Sequence, residues 1–361
     1  MSALIYSYAY CSGWLTLALF GVILFPQGKP ANDPAANLII NRFEKVAGEF
    51  YRRADDVSAK KISITKTTVL ENDIRKQLIT FQVDIEDEVP AVLLVPPKAK
   101  ANGAAILCLP DYLKGPKDSY SGDTCLYAKE LAERGYVTLV PDYPGFGKYN
   151  KNYNPYLADY DSCTMKAIHN HIGAINVLKC MNIHYELLNN GLVRSGIYVD
   201  PQKIGCIGHG SGGYNALFFA MYSNRIGAAR INAVGISSGL TTTKNYNGGS
   251  LSEWSKLHLM PWIGSKYDNN PQKLPFDFPE LLSTLAPLPI FISAPLKDSE
   301  FNVTGTRQCI DYAEKTYAKQ GFQNRIEALF PDCGQEFPKD VRERMYEFFD
   351  KQLLYRGDTP R

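Results

Sequence analysis

Apolar residues along this chain follow two rhythms. The runs AAILCLP (104–110), YVTLV (136–140), KIGCI (203–207), AVGIS (233–237), PIFISA (289–294) and RIEALF (325–330) are almost continuous in apolar side chains. That pattern fits strands covered on both faces. Between them lie stretches with helical spacing at 124–133, at about 164–181, after the glycine-rich turn at 208–213, and near the C-terminus. Strands alternating with helices predict an α/β fold, a mostly parallel central sheet with helices on both faces. An extension precedes it. Asp33-Pro34 reads as a cap and first-turn proline opening a helix to about Asp55, with Leu38, Ile39, Phe43, Val46, Phe50 and Tyr51 near one face. Two β runs follow at 62–70 and 75–85, joined by Glu71-Asn72-Asp73 as a hairpin, and PAVLLVPP (90–97) leads into the main pattern.

The expected organisation is a leader at 1–28, a helix and β extension at 29–85, and a main domain at 86–356 carrying an aromatic, turn-rich insert at about 241–279. Residues 2–28 contain no Lys, Arg, Asp or Glu, and 15–25 (LTLALFGVILF) is strongly apolar. As a secretory signal this stretch lacks a basic start and a clean small-residue cleavage site. As a membrane anchor, 4–25 is about long enough, roughly 20 residues being needed. A buried helix is the third reading. Export or membrane attachment is expected, which makes the main domain secreted or membrane-anchored outside the cytoplasm. The formal charge of +2, with basic and acidic residues interspersed, gives no basic stripe and excludes a nucleic-acid partner. Eight cysteines show no CxxC spacing, so no metal site is expected; one or two disulfides would suit an exported protein.

The chemistry concentrates at KIGCIGHGSGGYNALFF (203–219): an apolar strand, a tight turn, then a helix opening at about Tyr214. This is the context of a nucleophile elbow, G-x-S-x-G, which lifts a serine above an α/β sheet. Here the frame is Gly208-His209-Gly210-Ser211-Gly212, so the nucleophile position holds Gly210, and the nearby hydroxyl, Ser211, falls one place late. In such proteins the order is nucleophile, acid, histidine. Asp298 follows the apolar strand at 289–295 in the acid's place. The loop after the next strand, Asp332-Cys333-Gly334-Gln335-Glu336-Phe337-Pro338, offers Gln335 where a base belongs, and none of the five histidines (169, 171, 184, 209, 258) lies there. A glutamine amide does not accept a proton at neutral pH.

These residues, with VTLVPDYPGFGKY (137–149), CTMKAIHNHIGAINVL (163–178), LPFDFPELLSTLAPLPIFISAPLKDSEFNV (274–303) and FPDCGQEFPKDVRERMYEFFD (330–350), carry a resemblance. Over roughly 85–355 the chain resembles the dienelactone hydrolase and acetyl xylan esterase-like branch of the α/β-hydrolases, which borders the prolyl oligopeptidase type. Active members look like I-G-H-S-x-G-G at the elbow and D-C-G-H-D-F-P at the base loop. The resemblance therefore implies that Gly210 stands at the serine position, Gln335 at the histidine position and Asp298 at the acid position. It also implies an acyl-pocket loop resembling L-H-Q-T, where this chain has Leu109-Pro110-Asp111-Tyr112.

Two functions follow. One is a degenerate hydrolase that acts by binding an unidentified small molecule or protein partner, without a cofactor. The other is an active esterase or peptidase with a rearranged site using Ser211. Ser211 lacks an activating base on the 335 loop, and His209 matches the histidine that precedes the serine in the family pattern, a packing position. His169 and His171, two apart on a helix, point to different faces. The pocket is expected to include Asp111, Tyr112, His209, Ser211 and Trp254, with Asp298 and Glu336 adding acidity. Trp254, Trp262, Tyr267 and Phe276 of the insert either line it or pack the loop onto the core. If the scaffold alone survives, Gly210→Ser with Gln335→His should restore part of an esterase activity around Asp298.

Overall fold

The computed structural model describes residues 33–50, 61–84, 87–112, 125–149, 152–181, 185–188, 191–194, 197–223, 225 and 229–355. The leader, the candidate membrane segment at 4–25, Cys11 and residues 51–55 of the expected first helix lie outside them. Among the described residues no helix is long and apolar enough to cross a membrane.

Helix α1 (Pro34–Ala47) opens as the sequence predicts, with the Asp33 carboxylate accepting from the Ala35 N–H at 2.9 Å and Pro34 in the first turn. It stops at Gly48, short of the expected Asp55. Gly48 adopts φ +102°, and a Cβ there would lie 2.3 Å from the Asp161 Cβ. Packing against that side chain requires the glycine, and the glycine ends the helix. Then come β1 (Ile62–Val69), β2 (Arg75–Asp84), β3 (Asp87–Val95), β4 (Ala105–Leu109), α2 (Leu126–Glu133), β5 (Val137–Pro141) and α3 (Cys163–Cys180). A side hairpin, β6 (Tyr185–Leu188) with β7 (Gly191–Arg194), was not expected from the sequence pattern. The chain continues with β8 (Ile204–His209), α4 (Ser211–Ser223), β9 (Ala233–Ser237), α5 (Trp262–Ser265) and α6 (Phe278–Ser283). It finishes with β10 (Ile290–Ser293), α7 (Val303–Lys319), β11 (Ile326–Leu329) and α8 (Lys339–Phe349).

Nine strands form one sheet in the order β1-β2-β3-β5-β4-β8-β9-β10-β11. The first three pairings are antiparallel and the rest are parallel, so the hairpin extension continues the central sheet. Apolar runs are continuous because both faces are covered: in β8, Ile204 and Cys206 join one core cluster with α3 and α4, while Ile207 joins the other with α2 and α8. Helix α4 begins at Ser211, three residues before the expected Tyr214. Gly212 and Gly213 belong to the helix, and Gly212 is required there because a Cβ on it would lie 1.9 Å from the Leu109 carbonyl oxygen. The glycines serve close approach, not a turn. The strand order reverses at β4, which lies between β5 and β8. In open α/β sheets the crevice beyond the carboxyl ends of the strands at such a switch is the usual ligand site.

Seven of the cysteines are described, and all seven are free thiols, five of them buried. Among the described residues there is thus no disulfide, so the one or two that an exported chain could carry are not formed there.

The hairpin is pinned to α3 by an ion cluster. Lys166 is wholly buried and pairs with Asp84 and, at 2.7 Å, with Asp87, while the Tyr160 hydroxyl also donates to Asp84. Burial raises the Asp84 carboxyl, but the charge and hydrogen bonds of Lys166 outweigh it and hold that group below the ordinary range. The resulting stabilisation is present above the ordinary aspartate pKa and is lost as pH falls through the depressed value. Lys166→Ala should cost about 3 kcal/mol by leaving two partly buried carboxylates unpaired. Urea denaturation at neutral pH measures this, and an unchanged midpoint contradicts it.

Candidate functional site

The loops after β4 and β8 meet at the strand-order switch. Gly210 lies between the last residue of β8 and the first of α4, at φ +55°, with its N–H donating to the Ser237 carbonyl at 2.9 Å. This left-handed conformation is the strained geometry of an elbow, and a non-glycine residue would hold it at a cost of about 1–3 kcal/mol. A Cβ built on Gly210 would lie 2.3 Å from Asp111 Oδ2 and 2.7 Å from its Cγ. The Asp111 carboxylate therefore fills the space that a side chain at 210 would need. It is nearly inaccessible, 2% exposed, and accepts at Oδ1 from the Ser211 hydroxyl (2.6 Å) and the Ser211 N–H (3.3 Å). That N–H opens a 13-residue helix and has no acceptor inside it. A carboxylate is favoured at such a helix end.

Asp298 follows β10 and is also buried. Its Oδ1 accepts from the N–H groups of Glu300 (3.0 Å) and Phe301 (2.9 Å), and its Oδ2 from the Ser238 hydroxyl (2.6 Å). Ser238, just after β9 at φ +55°, occupies the carboxylate's second oxygen. Gln335 donates from Nε2 to Glu300 Oε2 at 3.2 Å, and the Tyr246 hydroxyl donates to the other Glu300 oxygen at 3.0 Å. A continuous series of bonds and adjacent residues thus joins the three frame positions: Gly210 to Ser237, Ser238 to Asp298, the Glu300 N–H to Asp298, and Gln335 to Glu300.

His209 is a packing residue in this arrangement. Its ring stacks on Phe337 at 5.4 Å and 14°, and Nδ1 lies 3.1 Å from both the carbonyl and the hydroxyl oxygen of Ser237. Tyr112 stacks on Tyr143 at 4.0 Å, and its hydroxyl shares a 2.6 Å hydrogen bond with Tyr214; burial, with Tyr214 beside it, pushes its phenol up. Trp254 is buried against Tyr214 (4.7 Å), Phe278 and Tyr246 (5.4 Å each). The void beside it measures about 10 Å³, room for about one water molecule at most. Trp254 and Phe276 pack the insert onto the core, and Trp262 and Tyr267 stay partly exposed.

Three residues of the site were missed by sequence reasoning: Ser238, Tyr246 and Glu300. Glu336, expected to add acidity, is exposed, and Glu300 takes that place. The available signal was the spacing Asp298-x-Glu300, two acids on one loop after a buried strand. Among the described residues no group of three His, Cys, Asp or Glu side chains is arranged to hold a metal.

Burial raises the Glu300 carboxyl above its ordinary range; hydrogen bonds from Tyr246 and Gln335 oppose this, and the charges of Asp111 and Asp298 reinforce it. A raised carboxyl contributes stability that is full below the ordinary glutamate pKa and is lost as pH rises through the folded value. Glu300→Gln should remove that limb from the profile of melting temperature against pH. Gln335→Leu should push the Glu300 titration, followed by side-chain carboxyl NMR, further up.

No protein-family model and no curated protein sequence matches the chain. Solved structures do. A glucuronoyl esterase from Solibacter usitatus is 14% identical with a TM-score of 0.63, covering 88% of this chain and 92% of its own. A carbohydrate esterase family 15 glucuronoyl esterase from Caldicellulosiruptor kristjansonii is 17% identical, TM-score 0.63, covering 90% and 86%. Acetyl xylan esterase 1 from a Thermoanaerobacterium species is 14% identical, TM-score 0.51, covering 91% and 95%. With its nine-stranded, mostly parallel sheet and helices on both faces, this chain has the α/β-hydrolase fold.

Proposed function

We propose that this protein keeps the esterase scaffold but not the serine–histidine chemistry, and acts by binding. One observation carries the reading: a side chain at the nucleophile position would collide with the Asp111 carboxylate, 2.3 Å from its Cβ. Position 335 agrees with it, since Gln335 donates to Glu300 and offers no proton acceptor to a nucleophile. Serine hydrolases stripped of nucleophile and base retain only about a thousand- to ten-thousand-fold acceleration over water. Asp111, Asp298 and Glu300 give the site an acidic character, which suits a hydroxyl-rich or cationic small molecule over an acid. The apolar leader supports a place outside the cytoplasm.

A second reading is an active ester hydrolase working through Ser211. It is favoured by the names of the structural neighbours, which are esterases, and by the 2.6 Å bond from the Ser211 hydroxyl to Asp111. In that scheme Asp111 takes the hydroxyl proton as Ser211 attacks an ester's acyl carbon, and returns it to the alcohol oxygen as the acyl C–O bond breaks. The geometry weighs against it, because Asp111 and Ser211 are each only 2% exposed and so shielded from an incoming ester.

The full chain should show no fluorophosphonate labelling and no turnover of p-nitrophenyl acetate above a Ser211→Ala control. Labelling mapped to Ser211 by peptide mass spectrometry, with turnover abolished in Ser211→Ala, would replace the binding reading with the second one.

A further inference from the structure

We propose that Asp111 is an internal ligand of the oxyanion-type seat at the start of α4, so that aspartate at 111 and glycine at 210 form one coupled substitution. The inference rests on the binding reading above and explains how that state is maintained. Three observations carry it. The carboxylate lies where the Cβ of residue 210 would be, with Oδ2, Cγ and Oδ1 at 2.3, 2.7 and 3.2 Å. It accepts both groups that Ser211 offers, the hydroxyl and the unpaired helix N–H. The main chain carrying it is clamped on both sides. Leu109 accepts from the Tyr127 hydroxyl at 2.5 Å and abuts Gly212, while Tyr112 is stacked on Tyr143 and bonded to Tyr214.

These contacts fix where the chain presents residue 111, and the two Ser211 donors hold its carboxylate there. A side chain at 210 therefore requires the Asp111 carboxylate to shift from the place where it meets the Ser211 donors, so glycine at 210 and the seated aspartate support one another. The sequence-based expectation for restoring activity changes accordingly. Gly210→Ser with Gln335→His places the new hydroxymethyl group against the Asp111 carboxylate, so the pair must also displace that carboxylate from Ser211. With Asp111 trimmed, the seat becomes a small carboxylate-binding site made of the Ser211 N–H and hydroxyl.

The test is a thermal-melt cycle on the full chain with Gly210→Ala, Asp111→Gly and both together. Gly210→Ala alone should lower the melting temperature by about 5 °C or more, and by less than half as much in the Asp111→Gly background. Folding of Gly210→Ala only in the Asp111→Gly background is the same result in its extreme form. Equal shifts in both backgrounds overturn the proposal. Should Gly210→Ala fail to fold in either background, sodium acetate decides. Tens of millimolar acetate should raise the melting temperature of Asp111→Gly relative to sodium chloride and leave the wild type unmoved; no such difference overturns the proposal. These readouts follow packing and carboxylate binding, whereas fluorophosphonate labelling follows hydrolysis, so the two claims fail separately.

Discussion

The closeness of two loops governs this site. The segment leaving β4 and the helix following β8 approach until only glycine fits between them: a Cβ on Gly212 would meet the Leu109 carbonyl at 1.9 Å. That contact follows from the sheet, because β4 and β8 are adjacent parallel strands in register from Ala105–Ile204 to Leu109–Gly208. Once the loops are this close, residue 111 is delivered to the mouth of the elbow whatever its side chain. A carboxylate there finds two donors on Ser211 and occupies the seat. Neither partner makes such a site alone.

Much of the architecture was written in the chain because it depends on local pattern. The apolar runs at 104–110 and 203–207 become β4 and β8, and Asp33-Pro34 opens α1 as its chemistry requires. Where local signals have two meanings, the outcome was decided elsewhere. Gly212-Gly213 reads as a turn, yet both lie in α4 and are glycine because the neighbouring chain leaves no room for a side chain. Gly48 sits in a stretch with helical spacing and stops it, because Asp161, far along the chain, lies against it. The seating of Asp111 belongs to the same class. Its partner is 100 residues away, and no spacing rule connects the two.

The candidate acid shows how a triad position is satisfied without its histidine. A buried carboxylate needs donors, and leaving it short of them is costly. Asp298 has three: two backbone N–H groups from its own loop and the Ser238 hydroxyl. The serine supplies a neutral donor where a cationic imidazolium would form during catalysis in an active triad. The arrangement is suited to holding Asp298 still and is poorly suited to stabilising a charge that appears and disappears.

Glu300 extends that logic to the 335 loop. With a histidine at 335, a neighbouring carboxylate would compete with Asp298 for the imidazole N–H. With glutamine, the amide has a donor to give and no proton to move, and Glu300 receives it together with the Tyr246 hydroxyl. The frame positions are therefore tied into a fixed polar network with the acyl-loop residue Asp111 as its other pole. Fixed hydrogen bonds to groups that do not change charge favour one stable arrangement, whereas an esterase needs donors that strengthen as charge develops on the substrate. The acidity of the site, the burial of Asp111 and the occupied seat at Ser211 each set this arrangement apart from the responsive donors that ester turnover needs.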